Sequence, residues 1–286
     1  MSTYYRPDTL EQALALMNEH TGAIKPYAGG TDLMVHLREQ GGHLSGVDAF
    51  LDVTRLPELR MIQEAGDHIR IGAAVTHTEV ADSPLIRQYA AALCEASASV
   101  GSTQIRNAGT IGGNVCNGSL AADTLSVLTA LSAVVELQSV DGVREVEVSN
   151  LYLGRGKMDI RPNELVVAIT IPILRDYRFS FIKLGRRKAL AISRMNVAVA
   201  MKVDGDVVED VRIAPGCVFS KPERAFGAET LLRGKVLSEE LFEEAGKAVS
   251  AQMIERTGVR WSTEYKQPVI EALTVRALRM TMGSAV

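Results

Sequence analysis

The chain has 286 residues, 47% of them hydrophobic and 23% charged, a balance ordinary for one large or two moderate packed domains. Its net charge of −3 gives no electrostatic reason to expect nucleic acid, and no apolar run approaches the ~18 residues of a membrane span. Three scattered cysteines, Cys94, Cys116 and Cys217, argue against a disulfide framework and a self-contained iron–sulfur cluster, and the five histidines show no metal-ligand spacing.

Residues 1–7 lack the apolar core of a secretion signal, so a cytoplasmic location is expected. Thr9 to His20 reads as a helix, with Thr9 as cap and an apolar stripe at Leu10, Ala13, Leu14, Leu16 and Met17. A short extended run, Ala23 to Ala28, breaks at Gly29-Gly30, and Thr31 or Asp32 can cap a helix through Leu37. This strand, glycine turn and helix is either an ordinary tight turn or an anion site made from backbone amides. It is neither a Walker loop nor Gly-x-Gly-x-x-Gly. Ala49 to Val53 and Ile69 to Ala73 are strand-like. Thr76 caps a short helix, and Ser83-Pro84 opens a longer one that ends at Gly101-Ser102.

Gln104-Ile105-Arg106-Asn107 then leads into Thr110-Ile111-Gly112-Gly113-Asn114-Val115-Cys116-Asn117, which reads as a second glycine loop. Cys116 within it is either a small residue lining a ligand or a nucleophile, and no histidine lies near it in sequence to act as base. Asp123 opens the next helix, as a cap, as a ligand for hydroxyls, or as both. Ala133 to Gln138 and Val143 to Val148 form a hairpin across Asp141-Gly142. Leu151 to Met158 is irregular: a solvated loop, or one beside a ligand or partner. Asn163 to Ile171 is a strand. A boundary falls near Leu174 to Asp176, followed by strands at 179–184, 196–203 and 206–214 and then three helices, a small α+β module.

Two glycine turns with Asp123 and Lys183 suit a dinucleotide. Lys25 to Leu33 and Thr110 to Asn114 could supply amides to its pyrophosphate. Asn114, Asn117 and Asp123 could serve hydroxyls, and Lys183 could face a ring that becomes anionic on reduction.

The ordered set Ala-Gly-Gly-Thr-Asp-Leu at 28–33, Gln-Ile-Arg-Asn at 104–107, Gly-Thr-Ile-Gly-Gly-Asn at 109–114, Asp123, Glu-Leu-Val at 164–166 and Lys183 resembles the FAD-binding medium subunit of molybdenum hydroxylases. That family includes xanthine, nicotinate and carbon monoxide dehydrogenases. The resemblance spans nearly the whole chain. It implies an α+β fold: a vanillyl-alcohol-oxidase-type two-subdomain FAD-binding domain over 1–174, divided at about residue 55, and a C-terminal α+β domain of the CO dehydrogenase flavoprotein type over 175–286.

It further implies that Lys25, Pro26, Tyr27, Ala28, Gly29, Gly30, Thr31, Asp32 and Leu33 wrap the cofactor together with Thr110, Ile111, Gly112, Gly113 and Asn114. Gly101 and Cys116 would line the site, and Asp123 would bind FAD hydroxyls. The Leu165-Val166 backbone would lie near the adenine or the ring, and Lys183 near the flavin. No residue is assigned to acid–base catalysis and none to a metal. In such enzymes substrate is oxidised at molybdenum in a large subunit, electrons cross 2Fe–2S clusters in a small subunit, and the flavin passes them to NAD(P) or another acceptor. A stand-alone FAD oxidoreductase of the same fold and a non-catalytic scaffold are the alternatives. The chain departs from many relatives in having Ser119-Leu120-Ala121-Ala122 where they carry a proline, which implies a looser turn. It also lacks the cysteine-rich insert of the hydroxybenzoyl-CoA reductase branch. Residues 185–193 look closer to the nicotinate and purine branch than to carbon monoxide dehydrogenase.

Overall fold

A computed structural model describes residues 3–39, 44–154 and 156–283. The chain opens with β1 (Thr3–Tyr5), α1 (Leu10–Glu19), β2 (Ile24–Tyr27), α2 (Leu33–Arg38) and β3 (Ala49–Asp52). The three strands form a parallel sheet in the order β1-β3-β2. Thr9 caps α1 as expected, and Ala13, Leu14 and Met17 are its buried stripe. By contrast α2 buries none of its residues.

Next come β4 (Ile62–Ala65), β5 (His68–Gly72), α3 (His77–Asp82), α4 (Pro84–Ala98), α5 (Thr103–Ala108), α6 (Ile111–Cys116) and α7 (Asp123–Ala130). They are followed by β6 (Val134–Ser139), β7 (Gly142–Glu147), α8 (Val148–Leu151), β8 (Tyr152–Gly154), β9 (Lys157–Met158) and β10 (Leu165–Pro172). Five strands pair antiparallel in the order β4-β5-β10-β6-β7. The central strand β10 is apolar except for Thr170, as suits a strand covered on both faces. Helix α7 is buried along its whole length.

Two expectations are corrected here. Gln104 to Asn107 is not a lead-in to a loop but part of α5, which Ser102 caps through Ile105 N. The irregular stretch at 151–158 begins at the last residue of the short α8 and holds the β8–β9 hairpin, anchored where Tyr152 Oη donates to Val115 O at 2.8 Å.

The last part is β11 (Arg178–Gly185), β12 (Ser193–Asp204) and β13 (Val207–Gly216), an antiparallel sheet in that order, with α9 (Phe226–Leu232), α10 (Glu239–Thr257) and α11 (Thr263–Thr281). One face of this sheet builds a second core: Ile182, Val197, Val199 and Met201 pack with Phe242, Val249, Ile270 and Leu278. From the opposite face, Phe181 and Ala198 join the first core. The period-two alternation of β11 and β12 therefore makes this sheet a wall shared by both cores. Among the described residues no helix is long and apolar enough to cross a membrane, and no group of three or more His, Cys, Asp or Glu is placed to hold a metal.

Candidate cofactor-binding site

The first turn follows β2 directly. Gly30 adopts φ +67°, which a side chain would resist. Among the described residues, none of the backbone N–H groups from Gly29 to Leu33 finds an acceptor. Five consecutive donors without protein partners are what an anionic ligand requires. Gly29 is glycine for a different reason: a Cβ there would collide with the Ala108 carbonyl. It lets the first turn lie against the α5–α6 junction.

The second stretch is not a loop. Thr110 is the N-cap of α6, and its Oγ1 accepts from Gly113 N at 3.1 Å. Ile111 N donates to Val75 O, Gly112 N to Ala73 O and Asn114 N to Thr110 O. Of the expected second set of amide donors, those of Ile111 to Asn114 are thus consumed by the protein, because Thr110 to Asn114 forms a first helical turn docked on the segment after β5. Gly112 is required by that docking, since a Cβ would fall 2.6 Å from Ala73. Gly113 is different. It is exposed, and a Cβ would meet only the Thr110 hydroxyl, at 3.0 Å. With Cys116 and Asn117, at i+3 and i+4, it forms the outward face of α6.

The two turns meet. Asn117 Nδ2 donates to Asp32 Oδ1 at 3.2 Å across 85 residues of sequence. Asp32 stands at the N-cap position of α2 without making a capping bond, so its carboxylate serves this link instead. A Cβ on Gly109 would lie 3.5 Å from both Thr31 Oγ1 and His77 Cδ2, so α3 belongs to the same junction. Thr124 Oγ1 donates to Asn114 Oδ1 at 2.7 Å, which orients the Asn114 amide. Cys116 is an exposed residue, yet surrounding protein desolvates its thiol and pushes the pKa up to about 11 despite the charge of nearby Lys25. It stays a thiol, not a thiolate, and this disfavours a nucleophile.

Asp123 is not a cap; the N-cap position of α7 is Ala122, and it makes no capping bond. Its buried carboxylate accepts from Lys183 Nζ at 2.5 Å and from Ser193 Oγ at 2.6 Å. Lys183 lies on edge strand β11 and also donates to Ser99 O, the C-cap carbonyl of α4, at 3.0 Å. A cation at a helix C-terminus is favourable. Two of three ammonium hydrogens are used, and each Asp123 oxygen has accepted one bond, so both groups keep capacity for a ligand. Gly101 (φ +44°) follows directly, with its carbonyl held by Arg106 Nη1 at 3.2 Å. Val166 is a buried core residue beside a bulge in β10.

Sequence reasoning missed three residues here. His77 is buried, and its Nδ1 has no partner among the described residues; burial, reinforced by the charge of Arg106, drives its pKa down to about 4. Nothing in the sequence marks it beyond its place after capping Thr76. Ser193 and Asn196 are buried around Asp123, and a signal existed for Asn196, a lone amide among apolar strand residues. FAD fits this donor set: free amides at 29–33, an open glycine face at 113, and an acid and a cation with spare valence.

Known proteins carry the same plan. Residues 1–174 match the model of the FAD binding domain in molybdopterin dehydrogenase, and residues 180–281 match the CO dehydrogenase flavoprotein C-terminal domain. The glyceraldehyde dehydrogenase medium chain of Sulfolobus acidocaldarius is 32% identical, covering 97% of each chain. The nicotinate dehydrogenase FAD-subunit of Eubacterium barkeri is 32% identical over 94% of this chain and 92% of its own. The solved structure of reconstituted CO dehydrogenase from Oligotropha carboxidovorans superposes with a TM-score of 0.91 at 26% identity, covering 100% of this chain and 99% of that one.

Proposed function

This chain belongs to the FAD-binding medium subunits of the molybdenum hydroxylases, and on that premise we propose that it is the electron outlet of such an enzyme. It is a flavoprotein oxidoreductase subunit and its cofactor is FAD. In the proposed role it takes electrons from the 2Fe–2S clusters of a small partner subunit, while a molybdopterin-containing large subunit oxidises the substrate, and it delivers them to NAD(P) or another acceptor in the cytoplasm. Residues 1–174, in two parts divided near residue 55, hold the cofactor, and 175–286 close the site from the far side.

FAD, when bound, supplies the exchange between one-electron clusters and a two-electron acceptor. The chain's own residues bind and bias it. The amides of Gly29 to Leu33 receive the pyrophosphate. The open face at Gly113 admits the cofactor's stem. Asp123 accepts from its hydroxyls, and Lys183 holds a positive charge beside the ring. The observation that carries this reading is the run of amides at 29–33 without partners among the described residues, in a turn that Asp32 joins to Asn117 at the C-terminal end of α6.

The test is purification of the chain with whatever subunits accompany it. A yellow protein copurifying with molybdenum and iron–sulfur subunits is expected. A colourless chain that stays so after incubation with FAD would sink the reading, and substrate turnover by the isolated flavoprotein would favour the stand-alone oxidoreductase.

A further inference from the structure

Lys183, Asn196 and Gly216 stand in register across β11, β12 and β13. Lys183 and Asn196 share the parity of Phe181 and Ala198, so they face the first core. Strict alternation would bring Arg194 to that face next and turn Ser193 away. It does not, because the pairing slips: Leu184 opposes Met195, but Gly185 opposes Ser193. Arg194 is the extra residue of a β-bulge. It turns out over the Tyr265 ring, 5.4 Å from the centroid, while Ser193 is re-aimed inward beside Asn196.

The consequence is a directed chain of donors. Asn196 Nδ2 donates to Ser193 Oγ at 3.3 Å, Ser193 Oγ donates to Asp123 Oδ1 at 2.6 Å, and Lys183 Nζ donates to Asp123 Oδ2 at 2.5 Å. Ser193 and Asn196 are buried. Gly216 leaves room for Asn196, since a Cβ there would collide with its amide. Each donor fixes the next acceptor, so the carboxylate is held from one side by a hydroxyl and from the other by the ammonium.

We propose that Ser193, delivered by this bulge and oriented by Asn196, is a positioning residue for the flavin: it fixes the Asp123 carboxylate, which in turn aims the Lys183 ammonium. The proposal rests on the flavin site described above. Losing the Ser193 hydroxyl frees the carboxylate to rotate and leaves its negative charge less compensated. Reduced flavin is anionic, so both effects disfavour it, in the same sense as removing Lys183.

The test compares Ser193→Ala, Ser193→Thr and Lys183→Met in the full chain loaded with FAD. Ser193→Ala is expected to raise the FAD dissociation constant about tenfold and to make the flavin midpoint potential more negative, in the direction of Lys183→Met. Ser193→Thr, which keeps the hydroxyl, is expected to restore both. A wild-type potential in Ser193→Ala alongside a shifted one in Lys183→Met overturns the role of Ser193 and leaves the flavin site standing. An unshifted potential in Lys183→Met overturns both. In the flavin-free chain, Ser193→Ala and Lys183→Met are expected to lower the urea midpoint by less together than the sum of their separate effects. Additive losses there overturn the network whatever the flavin does.

Discussion

Asp123 and Lys183 come from two different elements, one from buried α7 and the other from the edge strand β11, and meet at 2.5 Å with side chains only 7% and 14% exposed. Removing either partner strands a charge in a poorly hydrated place. Lys183→Met or Asp123→Asn is expected to lower unfolding stability by about 3 kcal/mol. The double variant is expected to lose clearly less than the sum. Chemical denaturation of the four proteins measures this, and additive losses would show that the pair is not coupled.

The glycines separate into packing and ligand positions. Gly113→Val adds bulk to an open helix face and is expected to leave the fold intact while cutting FAD occupancy severalfold. Gly29→Ala and Gly112→Val push a side chain into Ala108 and Ala73 and are expected to destabilise the protein itself by about 2 kcal/mol or more. Flavin absorbance per folded chain distinguishes the two kinds. Normal occupancy in folded Gly113→Val would mean that the cofactor does not approach there.

His77 gives a pH signature. Its folded pKa, about 4, lies below the ordinary histidine value of 6.5, so the unfolded chain binds the proton first. Its neutral form contributes stability above pH 6.5, and roughly 3 kcal/mol of that is lost as pH falls toward 4. His77→Phe is expected to flatten the melting temperature against pH over that window. An unchanged slope would assign the acid lability to other groups.

Cys116 is the one solvent-exposed cysteine among the described residues, but its pKa near 11 keeps it a thiol at neutral pH. Alkylation at pH 8 is expected to be roughly a hundredfold slower than for an unperturbed cysteine, and slower again with FAD bound. Mass spectrometry of iodoacetamide-treated protein checks both. Equal rates with and without FAD would place the cofactor away from α6.

Much of this was legible in the chain. Thr9, Thr76 and Ser83 announce their helices because a cap is a local bond between near neighbours. The turn after β2 was legible too, since glycine pairs punctuate. The identity of the second stretch as a helix start was not: Ile111 and Gly112 find their acceptors at Val75 and Ala73, a tertiary fact. Glycine there reads as flexibility, while its use is close docking. Asp123 and Lys183 were singled out separately, but their pairing lies across 60 residues of sequence. Ser193 depends on a bulge, a slip of register that no periodicity in Ser193 to Asp204 announces.

The most direct measurement mixes the oxidised, FAD-loaded chain anaerobically with its copurifying iron–sulfur subunit, previously reduced, and follows flavin and cluster absorbance together. Electron delivery predicts that the flavin bleaches as the clusters reoxidise, and that colour returns on adding the acceptor. A flavin that stays oxidised while the two subunits are demonstrably bound would contradict the proposed relay.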